Sequence, residues 1–335
     1  MTLPPFGRDQ HADTPPAVSV IVNCRNGERY LRQALDSIFA QSDDDWEIIF
    51  WDNLSTDDSA DIARAYGERV RYFRGGPFNL YTARNRAIER ARGRYVGFLD
   101  TDDLWLPRKL ELQRFRFERD QDVGLVYSNA EFFEDMGGRR LQWRRYRRPQ
   151  PEGTVFRHLL AHSSLVFPTV MIRRSVFDAC GGFDETMEAA GDTELFMRIC
   201  WRSKAAYVHT VTALYRKHAT NLSDRYLYKN VAAGDLIVQK FRAAQSDFDL
   251  NYGPEITAFI LQRRKASVFG TWKNGDPVSA RLQAWAYFRT LPAMMALFVA
   301  SFLPFGVVHS LRKWNPFTRL RRERARRYAS GFSKP

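Results

Sequence analysis

Cysteine is scarce in this sequence: Cys24, Cys180 and Cys200 are the only three in 335 residues. An odd number at such spacings excludes a disulfide framework and fits no zinc pattern, so the thiols read as reduced and mostly buried. An apolar core is also missing from the start, "MTLPPFGRDQHADTPPAV", which excludes a signal peptide and leaves 1–16 as a disordered leader. No internal repeat is visible. The first strand is not followed by the glycine-rich basic loop of a sugar nucleotidyltransferase; "NCRNGERY" stands there instead. Carboxylates are outnumbered, with 38 Asp and Glu against 51 Lys and Arg, a formal net charge of +13. Such an excess calls for an anionic partner: nucleic acid, an acidic membrane surface or a phosphorylated substrate.

What is present is a regular alternation. Val18–Asn23, Trp46–Asp52, Val70–Phe73, "RYVGFLD" and Val123–Ser128 read as strands. Between them, Leu31, Ala34, Leu35, Ile38 and Phe39 follow helical spacing, as do Ile62, Ala63 and Tyr66 behind a cap at Ser55, Thr56 or Asp57. Two further helices are "TARNRAIERA" and "PRKLELQRFRFER", the latter opened by Pro107. This pattern predicts an α/β fold with a mostly parallel central sheet covered by helices, and ligands bound beyond the carboxyl ends of the strands. Asn23, Asp52, Asp100 and Ser128 all lie at those ends. The catalytic domain is expected over 17–225, as a half at 17–130 and a second half at 131–225. The second half contains the basic "RRLQWRRYRRPQ" loop or hairpin, the strand "TVMIRR", the helix "SVFDAC", and a helix bearing Leu195, Phe196, Ile199 and Cys200 on one face. Residues 226–335 read as a helical, basic extension.

The stretch "GRYVGFLDTDDLWLP" ends a buried strand in Asp100, Asp102 and Asp103. Carboxylates this close raise one another's pKa unless a cation is present. One of them capping the next helix explains one acid, not three. An EF-hand fails because Trp105 stands where glycine is needed, and a haloacid-dehalogenase-like site fails because Leu104 stands where threonine is needed. Asp100 and Asp102, two apart in extended chain, point the same way and suit Mn2+ or Mg2+ bridging to a diphosphate.

Taken in order, "VSVIVNCRNGERYL", "WDNLSTD", "ARNRAIERARGRYVGFLDTDDLW", "FDETMEAAGDTELFMR" and "YRKHATNLS" resemble glycosyltransferase family 2, the inverting enzymes of the GT-A fold, over Val18 to Ser223. The resemblance implies that Asn23, Arg25 and Asp52 contact the base and ribose of a nucleoside-diphosphate sugar, UDP favoured. Asn26, Glu28, Asn79, Asn85 and Thr101 would line the same donor site. Asp100 would lie near the ribose and metal, Asp102 would be the main ligand of Mn2+ or Mg2+, and Asp103 would help hold the metal or cap the next helix. Asp192 would be the general base, with Leu195 and Arg198 fitting the pattern that follows it. The family often has an Asp where Asn53 stands and a Glu where Gly191 stands. The Gln/Arg-x-x-Arg-Trp motif of processive synthases is absent, which implies transfer of one sugar or a few, onto a surface or lipid-linked glycan.

The run from Leu291 to Leu311 carries no Asp, Glu, Lys or Arg, and "RKWNPFTRLRRERARR" follows it. Pro292, Pro304, Gly306 and His309 argue against a straight spanning helix, so we expect peripheral or monotopic contact with an anionic membrane, on its cytoplasmic face. A buried helix pair is the plain alternative. No nucleic-acid fold accompanies the basic run at 139–148. His158 and His162 are one helical turn apart without a third ligand in view. The rival from another class is a non-catalytic GT-A-like protein that binds anionic lipid or nucleic acid through its basic surface.

Overall fold

The computed structural model describes residues 15–136, 139–162, 165–218, 221, 229–288, 294, 298, 299 and 302. They fall into two compact units, divided after Asn221, with Ser246–Glu255 belonging to the first. The leader through residue 14, most of the 291–311 segment and the basic run after it lie outside the described residues.

The first unit is built on a nine-stranded sheet. Its leading half comprises β1 (Val18–Cys24), β2 (Trp46–Asp52), β3 (Val70–Arg74) and β4 (Tyr95–Phe98), in the spatial order β3-β2-β1-β4 and parallel throughout. All seven residues of β2 are buried, as expected of a strand covered on both faces. α1 (Glu28–Phe39) buries Leu31, Ala34, Leu35 and Ile38; Phe39 packs edge-on against Trp46 at 5.0 Å. α2 (Ser59–Arg64) and α3 (Leu80–Arg90) supply the other crossovers.

The remaining strands are β5 (Leu104–Trp105), β6 (Val123–Met136), β7 (Arg139–Arg144), β8 (Met171–Arg173) and β9 (Lys204–Arg216). β6 and β9 pair in parallel, but β8 lies antiparallel between β4 and β6, and β5 runs antiparallel to β9. Antiparallel neighbours need no crossover helix, which explains why the alternation fades after Ser128 while the sheet continues. The basic run forms the β6–β7 hairpin.

Two expected helix starts fall elsewhere. Asp58 is the N-cap of α2, without a side-chain bond, while Ser55 and Asp57 are used in loop contacts. α4 (Lys109–Arg119) starts two residues after Pro107. α5 (Phe156–His162), α6 (Arg174–Cys180) and α7 (Gly191–Arg202) complete this unit with the start of a later helix, Phe248–Lys273. The three cysteines are free, Cys24 and Cys200 being buried.

The second unit contains α8 (Lys229–Ala244), the later part of α9 (Phe248–Lys273) and α10 (Pro277–Phe288). Its own core cluster is Val268, Trp272, Ala280, Ala284 and Met294. Among the described residues no helix is long and apolar enough to cross a membrane.

Candidate active site

Parallel register brings the polar ends of the leading strands to one rim. Asn23 stands opposite Trp51 and Cys24 opposite Asp52. Leu99 still bonds to Ile21 O at 3.1 Å, so Asp100 leaves the sheet just beyond. The Asn23 amide nitrogen is buried without a hydrogen-bond partner, which leaves a donor directed at the rim unsatisfied. Arg25 is exposed beside it. Asp52 is buried, accepting from Ser55 N at 2.7 Å and from the Tyr72 hydroxyl at 2.6 Å. Burial and this carboxylate push the Tyr72 phenol up to about 12.

Asn53 explains one departure from the family pattern. Its Nδ2 donates to Phe78 O at 2.7 Å and its Oδ1 accepts from Phe78 N at 3.3 Å. An amide offers both a donor and an acceptor, whereas an ionised carboxylate only accepts; an aspartate would leave Phe78 O without its partner.

The three carboxylates after β4 are held differently. Asp100 accepts from Arg84 at 2.7 Å, and the buried Arg84 guanidinium lies over the Phe167 ring at 3.8 Å. Burial nevertheless keeps the Asp100 carboxyl above the ordinary range. Asp102 Oδ2 meets His218 Nε2 at 2.9 Å, with Asn221 Nδ2 at 3.5 Å. Asp103 is buried; its Oδ1 accepts the Arg216 N–H at 2.9 Å and its Oδ2 has no partner. It is therefore not the cap of α4, whose N-cap is Arg108: the β5–β9 pairing draws it onto β9 instead. Burial, then Asp102 and Asp100, hold its pKa well above normal. Arg216 also donates to Asp102 O at 2.8 Å, locking the loop to the sheet.

Asp192 sits in the first turn of α7, partly exposed, accepting from Thr193 N at 2.8 Å. The segment leading to it is clamped to α3. Asn79 caps that helix and reaches Glu185 O at 2.9 Å, Thr82 bonds the Glu185 carboxylate at 2.9 Å, and Asn85 bonds both Phe183 O and Phe183 N at 2.8 Å. Arg198 pairs with Glu194 at 2.8 Å and reaches the carbonyls of Cys180, Gly181 and Gly182. The spacing of Glu194 and Arg198 in "ELFMR" thus serves to hold the loop before Asp192.

Several expected donor-site residues have protein partners. Asn26 Oδ1 accepts from Thr56 N at 2.8 Å, and Glu28 accepts from Asp58 N at 3.0 Å, so both join the first loop to the second. Asn79 and Asn85 are taken up by the clamp. Thr101 is partly exposed beside Asp102. Arg84, Tyr72, Tyr81, Arg216 and His218 were not singled out from sequence. Arg84 lies in the quoted stretch "ARNRAIER", and Arg216 and His218 lie in "YRKHATNLS", without a role being given to them there.

Among the described residues, the left-handed non-glycine positions are Asn26 (φ 56°), Leu54 (φ 61°) and Ala190 (φ 54°). They flank β1, β2 and Asp192 respectively, and such strain is retained where surrounding contacts impose it. His158 and His162 lie with rings 4.6 Å apart. Among the described residues no three His, Cys, Asp or Glu side chains group around one point. A cavity of about 380 Å³ lined by Arg116, Arg119, Glu152 and Lys204 opens at the starts of β6 and β9, away from the carboxylates.

A parallel half-sheet with this rim of carboxylates is the arrangement of a GT-A fold, and comparison with known proteins agrees. The profile of "Glycosyl transferase family 2" matches residues 19–181. The putative glycosyltransferase EpsE of Bacillus subtilis is 30% identical over 263 residues, covering 73% of this chain and 90% of that protein. An uncharacterized glycosyltransferase of Rickettsia typhi is 30% identical over 208 residues, 61% of this chain and 64% of that protein's length. The fold is similar to S. aureus TarS 1-349 in complex with UDP-GlcNAc (TM-score 0.52, 16% identity, covering 88% of this chain and 91% of that one). It is also similar to the mannosyltransferase PcManGT of Pyrobaculum calidifontis in complex with GDP-Man and Mn2+ (TM-score 0.51, 20% identity, 86% of each chain). The chain belongs to glycosyltransferase family 2.

Proposed function

We propose that this protein transfers a sugar from a nucleoside-diphosphate sugar to an acceptor hydroxyl by a single, inverting displacement. The observation that carries the reading is the placement of Asp192: a partly exposed carboxylate at a helix start that the Asn79, Thr82 and Asn85 bonds and the Tyr81 hydroxyl hold to α3. In the reaction the acceptor oxygen bonds to the anomeric carbon as the bond to the diphosphate breaks. Asp192 takes the hydroxyl proton, a role that contributes about 10²–10⁴-fold. Asn23, Arg25 and Asp52 would receive the base and ribose, with UDP favoured. The Tyr72–Asp52 bond holds the carboxylate in one orientation for that purpose.

The residues present fit a divalent cation. Asp102 and His218 already meet at 2.9 Å; the carboxylate suits Mn2+ or Mg2+, and the imidazole favours the transition ion of the two. The unpartnered, buried Asp103 oxygen points the same way, because a positive charge beside Asp102 would relieve the crowded acids. Asp102 and His218 would hold the ion, with Asp100 beside them; when bound it would neutralise the departing diphosphate. Thermal unfolding with UDP or GDP, with and without Mn2+, tests this. A metal-dependent rise that disappears in Asp102→Ala and His218→Ala supports the assignment; an equal rise in both variants overturns it.

The acceptor in this reading is a lipid-linked or surface glycan met at the cytoplasmic face of a membrane. α10 supports that part: Val278, Leu282 and Trp285, at helical spacing, line a groove of about 440 Å³ together with Arg281, Phe298 and Phe302. An apolar stripe edged by arginine in a chain of net charge +13 is suited to an anionic bilayer surface.

A further inference from the structure

Gly191 opens α7 immediately before Asp192, and no side chain fits there. A Cβ on Gly191 would lie 2.6 Å from both Cε1 and Cζ of Tyr81, far inside the normal approach of two carbons. The backbone at Gly191 is not left-handed, so conformational freedom is not what the position requires. The three atoms nearest to such a Cβ all belong to Tyr81. Its ring is buried, stacked on Phe183 at 5.8 Å. Its hydroxyl oxygen accepts the Gly191 N–H at 2.8 Å. That N–H is one of the donors a helix start leaves without an intrahelical partner, and Ala190 at the N-cap supplies no side-chain acceptor.

We propose that Tyr81 is a positioning residue for transfer: its phenol occupies the space a side chain at 191 would fill and fixes the first turn of α7, and thereby the carboxylate of Asp192. Gly191 and Tyr81 form one interlocked unit, and no acidic side chain fits at 191 beside that ring. The inference rests on Asp192 being the general base.

The experiment uses the full chain with Mn2+ and UDP-GlcNAc, UDP-glucose or GDP-mannose, following hydrolysis of whichever donor the wild type turns over. Water replaces the acceptor: its oxygen bonds to the anomeric carbon, the diphosphate leaves, and Asp192 takes the proton. Tyr81→Phe keeps the ring and removes only the acceptor of the Gly191 N–H. We expect kcat to fall about tenfold, the scale of one hydrogen bond, while the donor KM and the nucleotide-induced thermal shift stay at wild-type values. In a helix, alanine ordinarily stabilises relative to glycine. Gly191→Ala should instead lower the unfolding midpoint beside Tyr81 and raise it in a Tyr81→Ala background, or Tyr81→Leu should the alanine variant not fold. A wild-type kcat in Tyr81→Phe, or stabilisation by Gly191→Ala beside Tyr81, overturns the proposal. Asp192→Asn separates the two ideas. Full activity there removes the base assignment; loss of activity there, with Tyr81→Phe unaffected, removes only the positioning role.

Discussion

α1 and α10 are both twelve residues long, and they use apolar side chains in opposite ways. α1 turns Leu31, Leu35 and Ile38 inward and meets the sheet with its largest side chains. α10 buries Ala280 and Ala284, while Val278, Leu282 and Trp285 are 59%, 65% and 47% exposed. At about 25 cal/mol per Å² of apolar surface removed from water, the first arrangement stabilises the fold. The second leaves that stabilisation available to something outside the fold. The comparison separates a part of the chain that is finished by its own contacts from one that keeps large apolar side chains exposed.

The sharpest test of that separation is chemical. If the first unit holds the whole reaction centre, Asp192→Asn should lower donor turnover about 10²–10⁴-fold, whereas Leu282→Ser with Trp285→Ser should leave hydrolysis of a water-soluble donor unchanged. Turnover assays on the two variants side by side check this. A strong loss in the α10 variant would mean that its stripe serves the reaction itself.

Stability gives the next contrast. Leu35→Ala in α1 removes a fully buried side chain and should cost about 2–5 kcal/mol in denaturant unfolding. Leu282→Ala in α10 should change stability by less than about 0.5 kcal/mol, as at most surface positions. Comparable losses would show that the α10 stripe is covered within the fold.

The sealed character of the first unit extends to charge. Glu47 lies inside it, accepting from Ser19 at 2.7 Å, Arg71 at 2.8 Å and Arg92 N at 2.9 Å. Burial alone would raise its pKa, but these donors together win and hold it below the ordinary carboxylate range. Because the folded pKa is depressed, the stabilisation is present above the unfolded value near 4.5 and is lost as pH falls through the folded one. Glu47→Gln should cost about 1–3 kcal/mol near neutral pH and flatten the decline of stability between pH 5 and the acid limb. An unchanged acid limb would show that Glu47 contributes nothing to it.

How much of this was readable in the sequence follows the range of the interactions concerned. The leading half of the sheet and the carboxylates at its rim depend on local periodicity and on the polar residue that ends each strand, and these were legible. The sheet beyond Ser128 was less so, since β8 and β9 find their neighbours through long-range pairing that no local pattern encodes. The same holds for side chains whose partners are far along the chain. Asn79 and Asn85, expected at the donor site, also bond to Phe183 and Glu185 about a hundred residues away. His218 reaches Asp102 across 116 positions. Gly191 read as a weakened motif because the ring that excludes a side chain there, Tyr81, lies 110 positions earlier.

The smallest effect on the isolated protein belongs to the α10 stripe, and the proposal makes it the largest in the presence of a membrane. A spanning helix would anchor the protein whatever the lipid charge, but none of the described helices is long and apolar enough for that. An interfacial helix acts through two weaker terms. Apolar side chains enter the headgroup boundary, and basic residues are drawn to anionic lipid over about one Debye length, roughly 8 Å at physiological salt. Cosedimentation with phosphatidylglycerol vesicles should therefore weaken as salt rises and fall further in Leu282→Ser with Trp285→Ser, at unchanged thermal stability. Equal binding of that variant and the wild type would assign membrane contact to other residues and leave α10 to some other partner. Binding that ignores salt would remove the electrostatic half of the argument while keeping the apolar one.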